Sequence, residues 1–441
     1  MLESILIKQV DIVFLDRILK GDILVKNGKI TKIEASISED AELVLNESGL
    51  TLFAGAIDPH VHFRDPGATH KEDLSSGSAA AAAGGVTTFF DMPNTSPSTT
   101  TVSALEAKKE HAQQTSLVNY NFFIGATNDN LDQLQQAENV PGIKIYVGSS
   151  TGELLVDKIA HLEPIFSQTH HSIAVHSEDE EMIQKKLEQY KGSNNVLDHE
   201  KIRSAEGAFK CTQMLVDLAM KTNHHLHICH LSTYQEVDLL RSLGAQNLIT
   251  SEVTPQHCLT YAPDLYDKWG TKAQINPPIR HQNHQQALFK GLVEGVIDFV
   301  ASDHAPHTHA EKDKPFGQAP SGMPGVETSF PVILNCASQG FFNLNHVTKI
   351  LSYMPAKVYN IQNKGKIQLN YDADLVLVDL NAKYCLTNDM LKTKCKWSIF
   401  EGQNLQGKVI ATFVNGQLVY REGDVFEDIK GKEAICGRKK A

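Results

Sequence analysis

Two kinds of apolar patterning divide this chain of 441 residues. Near both ends, short runs alternate apolar and polar positions and are separated by polar or glycine turns. They are 5–10, 13–15, 22–26 and 29–34 at the start, and 373–379, 409–414 and 417–420 at the end. Alternation with period two marks a half-buried strand. Asn27-Gly28 and Asn415-Gly416 each stand between two such runs. Asn-Gly in that setting is the strongest short hairpin signal. The two ends are therefore expected to form one small composite β domain from 1–51 and 356–441, built around the rest of the chain.

The middle, 52–355, alternates differently. Eight short β-rich runs occur in order, at 52–57, 87–91, 121–124, 143–147, 172–176, 225–229, 247–252 and 297–301. Longer stretches with helical spacing lie between them, such as 179–190 and 205–222. Strand-helix alternation predicts βαβ units and a parallel sheet. Eight units in this length fit an α/β fold of the closed (β/α)₈ TIM barrel type, whose usual size is about 250 residues. An open doubly wound sheet is the fallback. Against it, no G-x-G-x-x-G follows the first run and no G-x-x-x-x-G-K-[ST] occurs.

Composition narrows the class. Apolar residues make up 41% and charged residues 21%, ordinary for a globular protein. The net charge of −11 disfavours a broad nucleic-acid-binding face. The seven cysteines form no C-x-x-C pair, which suits reduced thiols in a cytoplasmic protein. The N-terminus shows no signal-peptide pattern, and the absence of an 18-residue apolar run predicts no membrane span. Twenty histidines are present, and their number alone decides nothing.

Position is more informative than number. The first barrel run ends in Asp58-Pro-His-Val-His-Phe-Arg-Asp-Pro-Gly67, and two-residue spacing puts His60 and His62 on one face of an extended chain. Two imidazoles on one face can chelate a divalent metal, although a lone H-x-H is also a common coincidence. His176 closes the fifth run, His230 the sixth, and Asp303 with His307 the eighth. Singly, each reads as a satisfied core residue. Four barrel strands delivering such groups to the catalytic mouth point to a metal site. His225 and His227 read as structural. Lys144, between two isoleucines on the fourth run, is costly to bury as an ammonium. Either it snorkels outward, which physical reasoning favours, or its charge is altered, as by carboxylation with CO₂.

The blocks Asp58–Gly67, Asp91-Met-Pro-Asn-Thr95, Asn276-Pro-Pro-Ile-Arg280, Ala301-Ser-Asp-His-Ala-Pro-His307 and Gly325-Val-Glu-Thr328 together resemble the cyclic-amidohydrolase branch of the amidohydrolase superfamily, and within it the dihydroorotases. The resemblance implies two Zn²⁺ ions. His60, His62 and Asp303 would hold one, His176 and His230 the other, and N6-carboxylated Lys144 would bridge them. It implies attack on a cyclic amide by metal-bridging hydroxide, with Asp303 as general base and acid, in pyrimidine synthesis. It places Arg64, Asn94 and His307 on the substrate carboxylate, Asn276 and a backbone contact near Ala319 on the ring amides, and His62 beside the substrate. The partner implied is a small molecule, dihydroorotate or N-carbamoyl-L-aspartate, with no nucleic acid or membrane; a homodimer stays open. Two alternatives remain: a dihydropyrimidinase or allantoinase, whose substrates lack the carboxylate, and an inactive structural partner of a transcarbamoylase. The latter class loses metal ligands, and all six are kept here.

Overall fold

A computed structural model describes residues 2–148, 152–244 and 248–437. The expected ends of the chain at 1 and 438–441, and Asn247 at the start of the seventh run, lie outside the described residues.

The two ends of the chain form one nine-stranded mixed sheet. Ser4–Val13, Ile18–Lys26, Lys29–Glu34, Leu43–Asn46 and Thr51–Ala54 come from the start, and Leu375–Cys385, Asn404–Val414, Gln417–Arg421 and Asp424–Val425 from the end. The seam is the antiparallel pair of Thr51–Ala54 with Leu375–Cys385. Both Asn-Gly hairpins form, and all four turn residues have positive φ: 50° and 76° at Asn27 and Gly28, 48° and 72° at Asn415 and Gly416. That is the geometry a two-residue hairpin loop needs. The two turns also abut, since a Cβ on Gly416 would stand 2.9 Å from the Gly28 Cα.

The middle closes into a (β/α)₈ barrel. Ala56–Val61, Val86–Asp91 and Asn119–Phe122 pair in parallel, as do Ile124–Gly125, Ile143–Tyr146, Ile173–His176, Leu226–Ile228, Ile249–Val253 and Phe299–Val300. The segments 119–122 and 124–125 are one stave interrupted at Phe123, which makes eight. Closure runs from the last stave to the first through the Val61–His304 bridge, with the His62 N–H donating to the His304 carbonyl at 2.8 Å. Among the described residues, no helix is long and apolar enough to cross a membrane.

One strand expectation needs correction. The run at 52–57 is two strands, one in the mixed sheet and one in the barrel, divided at Gly55. A side chain there would collide with Thr87 at 2.1 Å, so the chain crosses between layers where it has no Cβ. The connection between Leu375–Cys385 and Asn404–Val414 also reaches the barrel. Glu72 accepts from the Lys394 N–H at 3.1 Å, and the Trp397 Nε1–H donates to the His307 carbonyl at 2.8 Å.

Candidate active site

At the mouth formed by the C-terminal ends of the staves lies a cavity of about 140 Å³. Its wall carries His60, His62, Lys144, His176, His230 and Asp303, with Arg64, Asn94 and Asn276 on the same cavity. Three of these residues hold left-handed backbone: φ is 63° at Arg64, 35° at His230 and 47° at Asp303. Non-glycine residues rarely adopt it, at a cost of about 1–3 kcal/mol each, and it turns these side chains inward just past their strands.

Three of the four imidazoles, His60, His62 and His176, are oriented by a partner behind them. His60 Nδ1 lies 2.5 Å from Glu252 Oε1, and His62 Nδ1 lies 2.6 Å from Asn94 Oδ1. These oxygens accept, so each ring leaves Nε2 for the cavity. Both Nε2 atoms approach the same Asp303 oxygen, at 3.3 Å for His60 and 3.0 Å for His62. His176 is turned the other way round. Its Nε2 meets Glu178 Oε2 at 2.7 Å, and its Nδ1 faces His230 Nε2 at 3.1 Å. Arg203 holds Glu178 through two contacts of 3.1 and 2.5 Å. Carboxylates behind imidazoles fix tautomers in this way at metal sites.

The electrostatics suit a cation. Burial depresses the proton affinity of His60, His176 and His230, which keeps them neutral. For Asp303, burial works against ionisation, but the neighbouring His60, His62 and Lys144 outweigh it and hold the carboxyl at about 2. His60, His230 and Asp303 bring ligand atoms within 4.8 Å of one another. The Nδ1 of His230 is buried without a partner. Neutral imidazoles, an ionised carboxylate and this orphaned nitrogen fit a metal cofactor. A second group, His60 with Cys229 and Glu252, is less apt. Burial pushes the Cys229 thiol up to about 12, and Glu252 is already occupied by His60 and His227.

Lys144 does not snorkel; it is fully buried. Residues 144 and 146 face the cavity, while Ile143 and Ile145 pack into the core outside the barrel. The Lys144 Nζ donates to Cys229 Sγ at 3.0 Å and stands 5.2 Å from the Tyr146 ring centroid. No carboxylate pairs with it among the described contacts, which fits a lysine whose charge is altered.

Two expected substrate residues stand apart from the cavity wall. His307 lies one layer back, with its Nε2 3.2 Å from the Arg64 Nη2. The Ala319 N–H donates to the Pro315 carbonyl, and its own carbonyl accepts from the Gln274 side chain. Ser321 and Gly322 line the cavity instead. Sequence reasoning missed Glu252, Glu178, Arg203 and Tyr146. A charged residue inside an apolar barrel strand was a usable signal for Glu252, as it was for the histidines. His227 was read as structural. Its ring stacks on Phe299 and its Nε2 meets Glu252 at 3.1 Å, one relay from His60.

A model of the amidohydrolase family matches residues 51–419. A dihydroorotase of Methanosarcina acetivorans is 34% identical over 436 residues, covering 95% of this chain and 92% of that protein. A dihydroorotase of Methanosarcina mazei is 35% identical over 413 residues, covering 90% of each. Among solved structures, the L-hydantoinase (dihydropyrimidinase) from Arthrobacter aurescens matches with a TM-score of 0.93 at 27% identity, covering 99% of this chain and 100% of that one. The chain thus belongs to the amidohydrolase family, and within it to the dihydroorotases.

Proposed function

We propose that the chain interconverts L-dihydroorotate and N-carbamoyl-L-aspartate. The observation that carries this reading is the meeting, on one small cavity, of a metal-binding donor set with the Arg64 guanidinium. His60, His62 and Asp303 would hold one zinc ion and His176 and His230 a second, with Lys144, carboxylated on Nζ, shared by both. When bound, such a pair makes hydroxide available near neutral pH and polarises the scissile carbonyl.

The chain's own groups account for the rest. Asp303, kept ionised beside His60 and His62, takes the proton of the attacking water and returns it to the ring nitrogen that leaves. Glu252, Asn94 and Glu178 hold the imidazoles in the tautomers described. Arg64 binds the substrate carboxylate, a group for which a guanidinium fork is well matched. The Oδ1 of Asn94 is taken by His62, which leaves its amide N–H₂ for the substrate. Asn276 would meet the ring amides. Ring closure uses the same groups in reverse.

The test is turnover of dihydroorotate beside dihydrouracil, hydantoin and allantoin, which lack the carboxylate. Dihydroorotate is expected to be the preferred substrate by a wide margin. Equal or better turnover of a carboxylate-free ring would transfer the reading to a dihydropyrimidinase or allantoinase. Less than one metal ion per chain with no turnover would point to the inactive structural partner.

A further inference from the structure

Lys71 belongs to none of the groups considered so far. It follows the first-strand block in Lys71-Glu72-Asp73, on a segment fixed from both sides. Its N–H donates to the Ala68 carbonyl, Glu72 accepts from the Lys394 N–H, and Asp73 caps the helix Leu74–Ala83. The side chain is largely covered, with 15% exposure. Its Nζ stands 3.0 Å from His307 Nδ1 and 3.0 Å from Glu311 Oε1.

An ammonium has only protons to offer. His307 Nδ1 must then accept, and the ring proton must sit on Nε2. That Nε2–H points at the Ser321 carbonyl, 3.1 Å away, and lies 3.2 Å from Arg64 Nη2. Arg64 also has only protons to offer, so neither group satisfies the other. The Nε of Arg64 is spent on the Pro306 carbonyl at 3.2 Å, which leaves the Nη2 end for an acceptor. A doubly protonated His307 is excluded by its surroundings. Burial, Arg64, Lys71 and Lys312 push its pKa down to about 2, and Glu311 is the acid that acts the other way. With the His307 proton on the Ser321 carbonyl, the Arg64 Nη2 is the donor left over, and in a group of cations it calls for an oxygen anion.

We propose that Lys71 is a positioning residue that fixes His307 as the Nε2–H tautomer, held on the Ser321 carbonyl, so that the ring cannot accept from Arg64 and the Arg64 Nη2 stays free for the substrate carboxylate. This rests on the carboxylate-bearing substrate proposed above. Lys71 touches no reacting atom. It acts through the ring behind the cavity wall, and Glu311 keeps the ammonium in place.

The experiment uses the full chain, metal-loaded, with Lys71→Met and Lys71→Arg. Lys71→Met is expected to raise KM for dihydroorotate about ten- to hundredfold, the worth of one charge-assisted hydrogen bond. Metal content stays the same and kcat changes far less. Lys71→Arg keeps a cationic donor and restores most of the affinity. Nitrogen-15 spectra of labelled histidine supply a readout independent of turnover. His307 should be an Nε2–H tautomer in the parent chain, and a mixture that titrates nearer neutral pH in Lys71→Met. If Lys71→Met does not accumulate as folded protein, Lys71→Gln takes its place. A parent His307 protonated on Nδ1, or a KM unchanged in a folded variant, overturns the proposal. Arg64→Met separates this from the substrate reading. If it raises KM while Lys71→Met does not, only the tautomer role falls; if neither does, the carboxylate reading falls with it.

Discussion

In the mixed sheet, the buried residues include Ile5, Ile7, Val10, Ile12, Leu52, Leu375, Leu377 and Phe413, mostly at alternate positions, beside a few polar ones such as Asp22, Thr51 and Thr412. At the barrel mouth they are His60, Lys144, His176, His230, Glu178 and Glu252, all polar and all nearly inaccessible. The sheet places positive φ in its Asn-Gly turns, where it costs little, and singly at Gln9 and Glu422, whereas the mouth gathers it at Arg64, His230 and Asp303. One region departs from the rules of burial and local conformation at scattered points; the other breaks them repeatedly within a single cavity. Buried polar groups survive only when paired or coordinated, so their concentration at the mouth marks where the fold has been shaped for chemistry.

Substitutions in the two regions should therefore fail in different ways. The largest effect is expected from Asp303→Asn, which preserves shape but removes the base. Turnover should fall about 10²–10⁴-fold with little change in melting temperature, as steady-state rates and calorimetry would record. Next comes Arg64→Met, measured as kcat/KM for dihydroorotate against dihydrouracil. The preference for the carboxylate-bearing ring should collapse by about a hundredfold while metal content stays constant, in line with the loss of charge-assisted hydrogen bonds. Glu252→Gln weakens the support of His60 without touching the cavity. Competition with a chelator should reveal a metal affinity lower by about 10–100-fold.

The smallest functional effect should come from the sheet. Gly416→Ala forces a Cβ to within 2.8 Å of Val25 Cγ1 at a φ of 72°. The expected loss of stability is about 1–2 kcal/mol in urea denaturation, with kcat and KM unchanged. A kinetic defect in that variant, or an intact active site in Asp303→Asn, would erase the distinction between the two regions.

The same contrast explains what could be read from the chain. The hairpins at 27–28 and 415–416 and the order of the barrel staves follow from local periodicity, and they were legible. So was the meeting of His60, His62, His176, His230 and Asp303 on one cavity, because each polar residue follows an apolar run and the barrel brings such ends together. The outward Lys144 that burial cost alone favoured does not form, and the signal against it was present: period two in a barrel strand puts 144 and 146 on the inner face when 143 and 145 face out. The division of 52–57 depends on the approach of Thr87 to Gly55, and the use of the Ala319 backbone depends on Gln274. Neither contact has a local trace. Lys71 was overlooked for the same reason, since its partner His307 follows the last stave, 236 residues further along the chain.

The central claim is that the mouth holds a metal pair through six protein side chains, one of them a modified lysine. The most direct measurement is a crystal structure of the zinc-loaded chain with anomalous data at the zinc edge. The account predicts two peaks, one beside His60, His62 and Asp303 and the other beside His176 and His230, with branched density extending from Lys144 Nζ to both. A single peak, or an unbranched Lys144 still directed at Cys229, would contradict it.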